Sequence, residues 1–152
     1  MSKGGQSVSA IIRMVAKRSF EQICVGDKGM VSKTITDADV ANFAGMTGDF
    51  NPRHLNQEYA KSSRFGQRVV HGLLTASFLS TLIGMCLPGE DALYLSQTVK
   101  FVKPVFIGDT ITVVGEVTAK NEARRRMTID TKITKQTGEL VVEGQAEVLM
   151  ML

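Results

Sequence analysis

The apolar residues of this chain change period near residue 90, and that change organises the rest of the pattern. Downstream, apolar and polar residues alternate at every second position through 93–102, 110–120, 125–135 and 140–150. These stretches are rich in Val, Ile and Thr. Lys103-Pro104, Gly108-Asp109, Asn121-Glu122 and Gln136-Thr137-Gly138-Glu139 separate them. Period two with β-branched side chains predicts half-buried strands, and the short breaks between them predict an antiparallel meander. Upstream, residues 72–87 carry no charge at all, and Pro88-Gly89 ends the run. That run is too short for the roughly 18–20 residues of a membrane span, so it predicts a helix buried on every side.

Earlier still, residues 28–35 read as a short first strand. Thr36 can cap a helix, with Asp39 at its third position and an apolar stripe of Val40, Phe43 and Ala44. Gly45 and Gly48 stop it, a loop follows through Asn51-Pro52, and one helical turn fits around residues 57–61. The elements together predict an α+β domain with an antiparallel sheet wrapped around a long central helix.

The first nineteen residues read as a separate basic amphipathic extension, and residues 20–152 as the domain. Lys3, Arg13, Lys17 and Arg18 face no acid there, while Val8, Ile11, Ile12 and Val15 recur at helical spacing. An ordinary surface helix has this composition, and so does a mitochondrial presequence. The expected location is the cytoplasm, with the mitochondrial matrix as the alternative. Cys24 and Cys86 form no CxxC pair, in keeping with a reducing compartment. The length of 152 residues, 43% apolar and 22% charged, suits one domain with a sizeable core. A net charge of +3 suits an anionic partner but is too weak to imply nucleic acid.

The chemistry concentrates in Gly48-Asp49-Phe50-Asn51-Pro52-Arg53-His54 and in His71-Gly72. An acid and an imidazole stand five residues apart on a proline-bent segment, and a glycine opens the uncharged helix. A carboxylate exchanges protons, an imidazole polarises water, and free N–H groups at a helix start receive charge developing on an oxygen. Those are the parts needed to add water across a double bond conjugated to a carbonyl. Taken alone, Asp-x-Asn-Pro is also an ordinary turn. No GxSxG elbow, phosphate loop or GxGxxG turn occurs, and two histidines without a cysteine or carboxylate cluster give little reason to expect zinc.

The Asp49–His54 segment resembles the hydratase motif of the MaoC-like dehydratases, near the (R)-specific enoyl-CoA hydratases. Val70-His71-Gly72 is similar to that family's start of its central helix. Tyr94-Leu95-Ser96-Gln97 and Phe101-Val102-Lys103-Pro104-Val105-Phe106-Ile107-Gly108-Asp109 resemble the strand and turn that follow it. The resemblance spans about residues 20–150 and implies the hot-dog fold, working as a homodimer or higher homo-oligomer. It implies Asp49 and His54 as the catalytic pair, the Gly72 N–H as oxyanion donor and Ser80 as lining the pocket. Asn51 is expected to brace the loop or meet substrate, His71 to meet substrate or serve as a structural hydrogen-bonder, and Ile83 with Leu79 either to bound the acyl pocket or simply to pack the core.

Arg53 departs from the small or aliphatic residue common at its place. The implied activity is reversible hydration of an enoyl-CoA thioester, with no cofactor or metal, the coenzyme A thioester being substrate. The alternatives are 3-hydroxyacyl-(acyl-carrier-protein) dehydratase and a hot-dog acyl-CoA thioesterase. Arg64, Lys100, Lys103 and Arg124-Arg125-Arg126 are candidates for contact with carrier phosphate or an acidic carrier protein.

Overall fold

The computed structural model describes residues 14–152. The amphipathic helix expected over Val8–Val15 lies almost wholly outside the described residues. From Ala16 the chain straps the far end of the central helix: the Ala16 N–H donates to the Met85 carbonyl, and its own carbonyl accepts from the Glu90 N–H.

Strand β1 (Lys28–Thr34) leads into helix α1 (Asp37–Thr47). The entry is a capping box, in which the Thr36 hydroxyl accepts the Asp39 N–H and the Asp39 carboxylate accepts the Thr36 N–H. Gly48 ends α1 in the left-handed region at φ 79°, its N–H donating to the Ala44 carbonyl. Gly45, read as a second stop, lies inside the helix. Where a plain loop is expected at Asn51-Pro52, the chain makes a helical turn, α2 (Pro52–Leu55), followed by α3 (Gln57–Lys61). Proline is preorganised for a first helical position, and the Asn51 side chain caps the turn by accepting the Arg53 N–H at 3.0 Å.

Helix α4 (Gly72–Thr81) continues as one π-helical turn over Leu82–Cys86. Strands β2 (Ala92–Phe101), β3 (Thr110–Asn121), β4 (Arg126–Lys135) and β5 (Leu140–Met150) follow. The sheet is antiparallel in the order β1-β3-β4-β5-β2, which corrects the expected meander: only β3, β4 and β5 form one. Strand β1 occupies the free edge of β3, from Lys28 opposite Glu116 to Thr34 opposite Thr110. The edge of β5 then remains for β2, where Phe101 pairs with Val142. The 102–109 connection carries Pro104 and a buried Val105, and it is too long for a tight hairpin.

The sheet curls around α4 and its π-helical turn. Leu74, Ala76, Leu79 and Leu82 pack with Ile111, Val113, Ile133 and Val142; Ile83 and Leu87 pack with Phe20, Ile23, Val117, Met127, Ile129 and Val148. Gly115 lets the helix approach closely, since a Cβ there would lie 2.8 Å from Leu82 Cδ2. Burial is incomplete among the described residues: Leu73, Ser77, Ser80, Thr81, Gly84 and Met85 leave one side of the helical segment open. An uncharged helix must be covered, but nothing in its composition says that its own chain does all of the covering. Among the described residues, no helix is long and apolar enough to cross a membrane.

Candidate active site

Three segments build the site: the Gly48–His54 turn after α1, the 69–71 strip, and the start of α4. The strip is anchored to the body by the Val70 N–H, which donates to the Val105 carbonyl, and by the bridge between Val69 and Phe106. The Gly48–His54 turn is then laced to it. The Val69 N–H donates to the Arg53 carbonyl, and the Val69 carbonyl accepts His54 Nδ1 at 2.5 Å. A carbonyl can only accept, so the imidazole proton sits on Nδ1. Nε2 keeps its lone pair, free among the described residues.

The second lace is His71. Its ring is buried and stacks on His54, with centroids 3.9 Å apart and planes inclined by 29°. Phe43 of α1 tilts against its other side at 4.9 Å. His71 Nε2 donates to the backbone carbonyl of Asp49 at 3.0 Å and stands 3.9 Å from the Asp49 carboxylate. Its Nδ1 is buried without a partner among the described residues, so the Asp49 bond and the two ring contacts define the ring's place. The Asp49 carboxylate is itself steered by the Asn51 N–H, which donates to Oδ1 at 3.2 Å.

The result gathers Asp49, His54 and His71, with one ligand-type atom of each within 4.8 Å of the others. That proximity suits a shared proton or water, and it is also the spacing in which three such groups could hold a cation. Burial is the largest influence on His54 and holds its pKa below the ordinary value. The Val69 hydrogen bond opposes it, as does the charge of Asp49, while the Coulomb effects of the neighbouring His71 and Arg53 act in the same direction as burial.

Gly72 follows His71 directly and opens α4, and its N–H donates to no acceptor among the described residues. A side chain at this position would strike Phe101, since a Cβ would lie 2.9 Å from the ring's Cε1. Glycine thus admits the Phe101 ring of β2 against the helix start. The other expected residues divide. Asn51 braces the turn through both its side chain and its N–H. Ser80 lies eight residues beyond Gly72 on the open side of the helix. Ile83 is buried among Phe20, Ile23 and Leu87 and is not brought to the Asp49–His54 cluster. The Val69 carbonyl was not foreseen, because a backbone acceptor leaves no mark in a sequence. Phe43 was read only as part of an apolar stripe.

Comparison with known proteins bears on the family and the fold. A family model described as "MaoC like domain" matches residues 25–139. The chain is 40% identical over 131 residues to an (R)-specific enoyl-CoA hydratase of Rhodospirillum rubrum, covering 86% of this chain and 90% of that protein. It is 43% identical over 130 residues to an (R)-specific enoyl-CoA hydratase of Aeromonas caviae, covering 86% of this chain and 97% of the other. The solved structure of the A. caviae (R)-hydratase involved in PHA biosynthesis superposes with a TM-score of 0.83 at 42% identity, over 86% of this chain and 98% of that one. The extensive likeness in sequence and fold identifies this chain as a member of the MaoC-like domain family, with the hot-dog fold.

Proposed function

We propose that this protein is an (R)-specific enoyl-CoA hydratase, a hydro-lyase that reversibly adds water to trans-2-enoyl-CoA to give (R)-3-hydroxyacyl-CoA. The observation that carries the reading is the Asp49–His54 pair, gathered with His71 beside the exposed start of α4. In an α,β-unsaturated thioester, C3 is electrophilic only as far as the carbonyl oxygen can take up charge. The Gly72 N–H, at the positive end of the helix dipole, is the donor for that oxygen. The free Nε2 of His54 and the carboxylate of Asp49 hold a water between them. Its oxygen bonds to C3, its proton passes to the pair, and the pair delivers a proton to C2. Run backwards, the same groups dehydrate, and no cofactor is called for.

A homodimer fits the surface. The β1 edge carries Lys28 and Lys33 in ion pairs beside one exposed Met30, whereas the β2 edge and the open helix side together present Leu93, Leu95, Phe101 and Leu73. Leu73 is 65% exposed and Phe101 51%, an apolar surface of the kind a second copy covers. A mass in solution near twice 16.5 kDa is expected, and a fully active monomer would refute the pairing. The free thiols of Cys24 and Cys86 support a reducing compartment, the cytoplasm being our assignment.

The direct test is hydration of crotonyl-CoA followed by loss of the conjugated enoyl absorbance, with chiral analysis of the product. The (R)-3-hydroxy thioester is expected. Release of free thiol without hydration would indicate a thioesterase. A strong preference for crotonyl-carrier protein over crotonyl-CoA would move the assignment to the carrier-protein dehydratase.

A further inference from the structure

A cavity of about 270 Å³ lies against the α2–α3 hairpin, lined by Arg53, Tyr59, Ser62, Ser63, Arg64 and Phe65. Its make-up differs from that of the reacting cluster. Four Lys and Arg side chains occur between residues 50 and 70, and two of them are neutralised: Lys61 by Glu58 and Arg68 by Asp37. Arg53 and Arg64 have no carboxylate partner among the described residues, and both face this cavity. Of the more distant cations read as candidates for carrier phosphate, Lys100 is engaged with Glu143, Lys103 with Glu139 and Arg125 with Glu21, while Arg124 and Arg126 stand just before and at the start of β4, away from this cavity.

The rest of the lining is aromatic and hydroxylic. The Arg64 guanidinium sits 5.1 Å from the Phe65 ring centroid, and Phe65 is braced edge-on by Phe106 at 6.2 Å. Tyr59 is half exposed. Two forked cations beside aromatic surfaces and hydroxyls suit a planar heterocycle bearing phosphate. Arg53 immediately precedes His54, so this cavity and the reacting cluster share one helical turn.

We infer that the cavity lined by Arg53, Tyr59, Arg64 and Phe65 docks the phosphorylated adenosine end of coenzyme A. The inference rests on the hydratase reading for its substrate class. The pantetheine arm is a flexible tether, so the thioester meets Asp49 and His54 while the nucleotide is held on the outer side of the α2–α3 hairpin. The guanidinium groups take the phosphate oxygens, and the base lies on an aromatic ring.

The test uses the full chain and an R64Q variant. Adenosine 3′,5′-bisphosphate should bind the parent protein and compete with crotonyl-CoA, and R64Q should weaken that binding by about tenfold, the scale of one lost charge-assisted hydrogen bond. KM for crotonyl-CoA should rise by a similar factor with kcat unchanged. Crotonyl-pantetheine, which lacks the nucleotide, should be turned over equally by both proteins. Failure of the bisphosphate to bind the parent would overturn the proposal, and so would an equal loss on crotonyl-pantetheine. An equal loss on crotonyl-4′-phosphopantetheine would show that the cavity reads the phosphate shared with carrier proteins and not the nucleotide, which also overturns it. Should the parent hydrate no thioester, the hydratase reading fails, and bisphosphate binding still decides the fate of the cavity by itself.

Discussion

Asp49→Ala is expected to lower kcat by about 10²–10⁴-fold, the usual worth of a positioned acid–base group, while the protein stays folded. The structure separates the two effects. What ties residue 49 to the site is its main-chain carbonyl, which accepts from His71 Nε2, and that bond survives loss of the side chain. The carboxylate is half exposed, and among the described residues its Oδ1 accepts only the Asn51 N–H. Little stability is therefore at stake, and a melting temperature close to that of the parent should accompany the lost turnover. Steady-state kinetics on crotonyl-CoA and a thermal melt check both halves. A folded Asp49→Ala enzyme with near-normal kcat would remove this residue from the mechanism.

His54→Ala should cost a comparable 10²–10⁴ in kcat, but it also removes the Val69 hydrogen bond and the stack on His71. His54→Asn is the cleaner variant. The amide nitrogen of asparagine reaches about as far as Nδ1, so the donor to the Val69 carbonyl is kept and the Nε2 lone pair is lost. Its kcat should fall as far as that of His54→Ala with less loss of stability. The ring's charge supplies a second readout. Burial disfavours the imidazolium and lowers the pKa, so the neutral ring persists to a pH at which a free histidine is already protonated. If catalysis needs the lone pair, activity is full above the folded pKa and declines as pH falls through it. The acidic limb of kcat/KM should therefore lie below the ordinary histidine value of about 6.5 and vanish in His54→Asn. A limb at or above that value would contradict the assignment of His54 as the group that must be unprotonated.

Much of this architecture could be read locally. The Thr36–Asp39 cap, the strands at 28–34 and 140–150 and the helix from Gly72 follow from period, β-branching and stop signals within a few residues. Strand order did not, because nothing inside 92–101 states that its partner is β5, with Phe101 opposite Val142 and Ala92 opposite Met150, and not β3. The open side of α4 was hidden for a related reason: absence of charge says that a surface must be covered, not by which chain. At the site, residue types were legible and their attachments were not. Asp49 and His54 stand out as chemistry, but His71 reads as an ordinary pre-helix histidine until its ring is found between His54 and Phe43. Arg53 stands out in the motif as a departure from the usual residue, but that it lines a cavity together with Arg64 while remaining exposed is visible only in the fold.

The laces between the Gly48–His54 turn and the 69–71 strip have an engineering consequence. Because Asp49 is fastened to His71, and Arg53 and His54 to Val69, the two ends of residues 49–71 are clasped to each other. Anyone transplanting this activity into another scaffold should move that stretch as an undivided cassette, since a graft of the short acid–histidine peptide alone would arrive without its clasp.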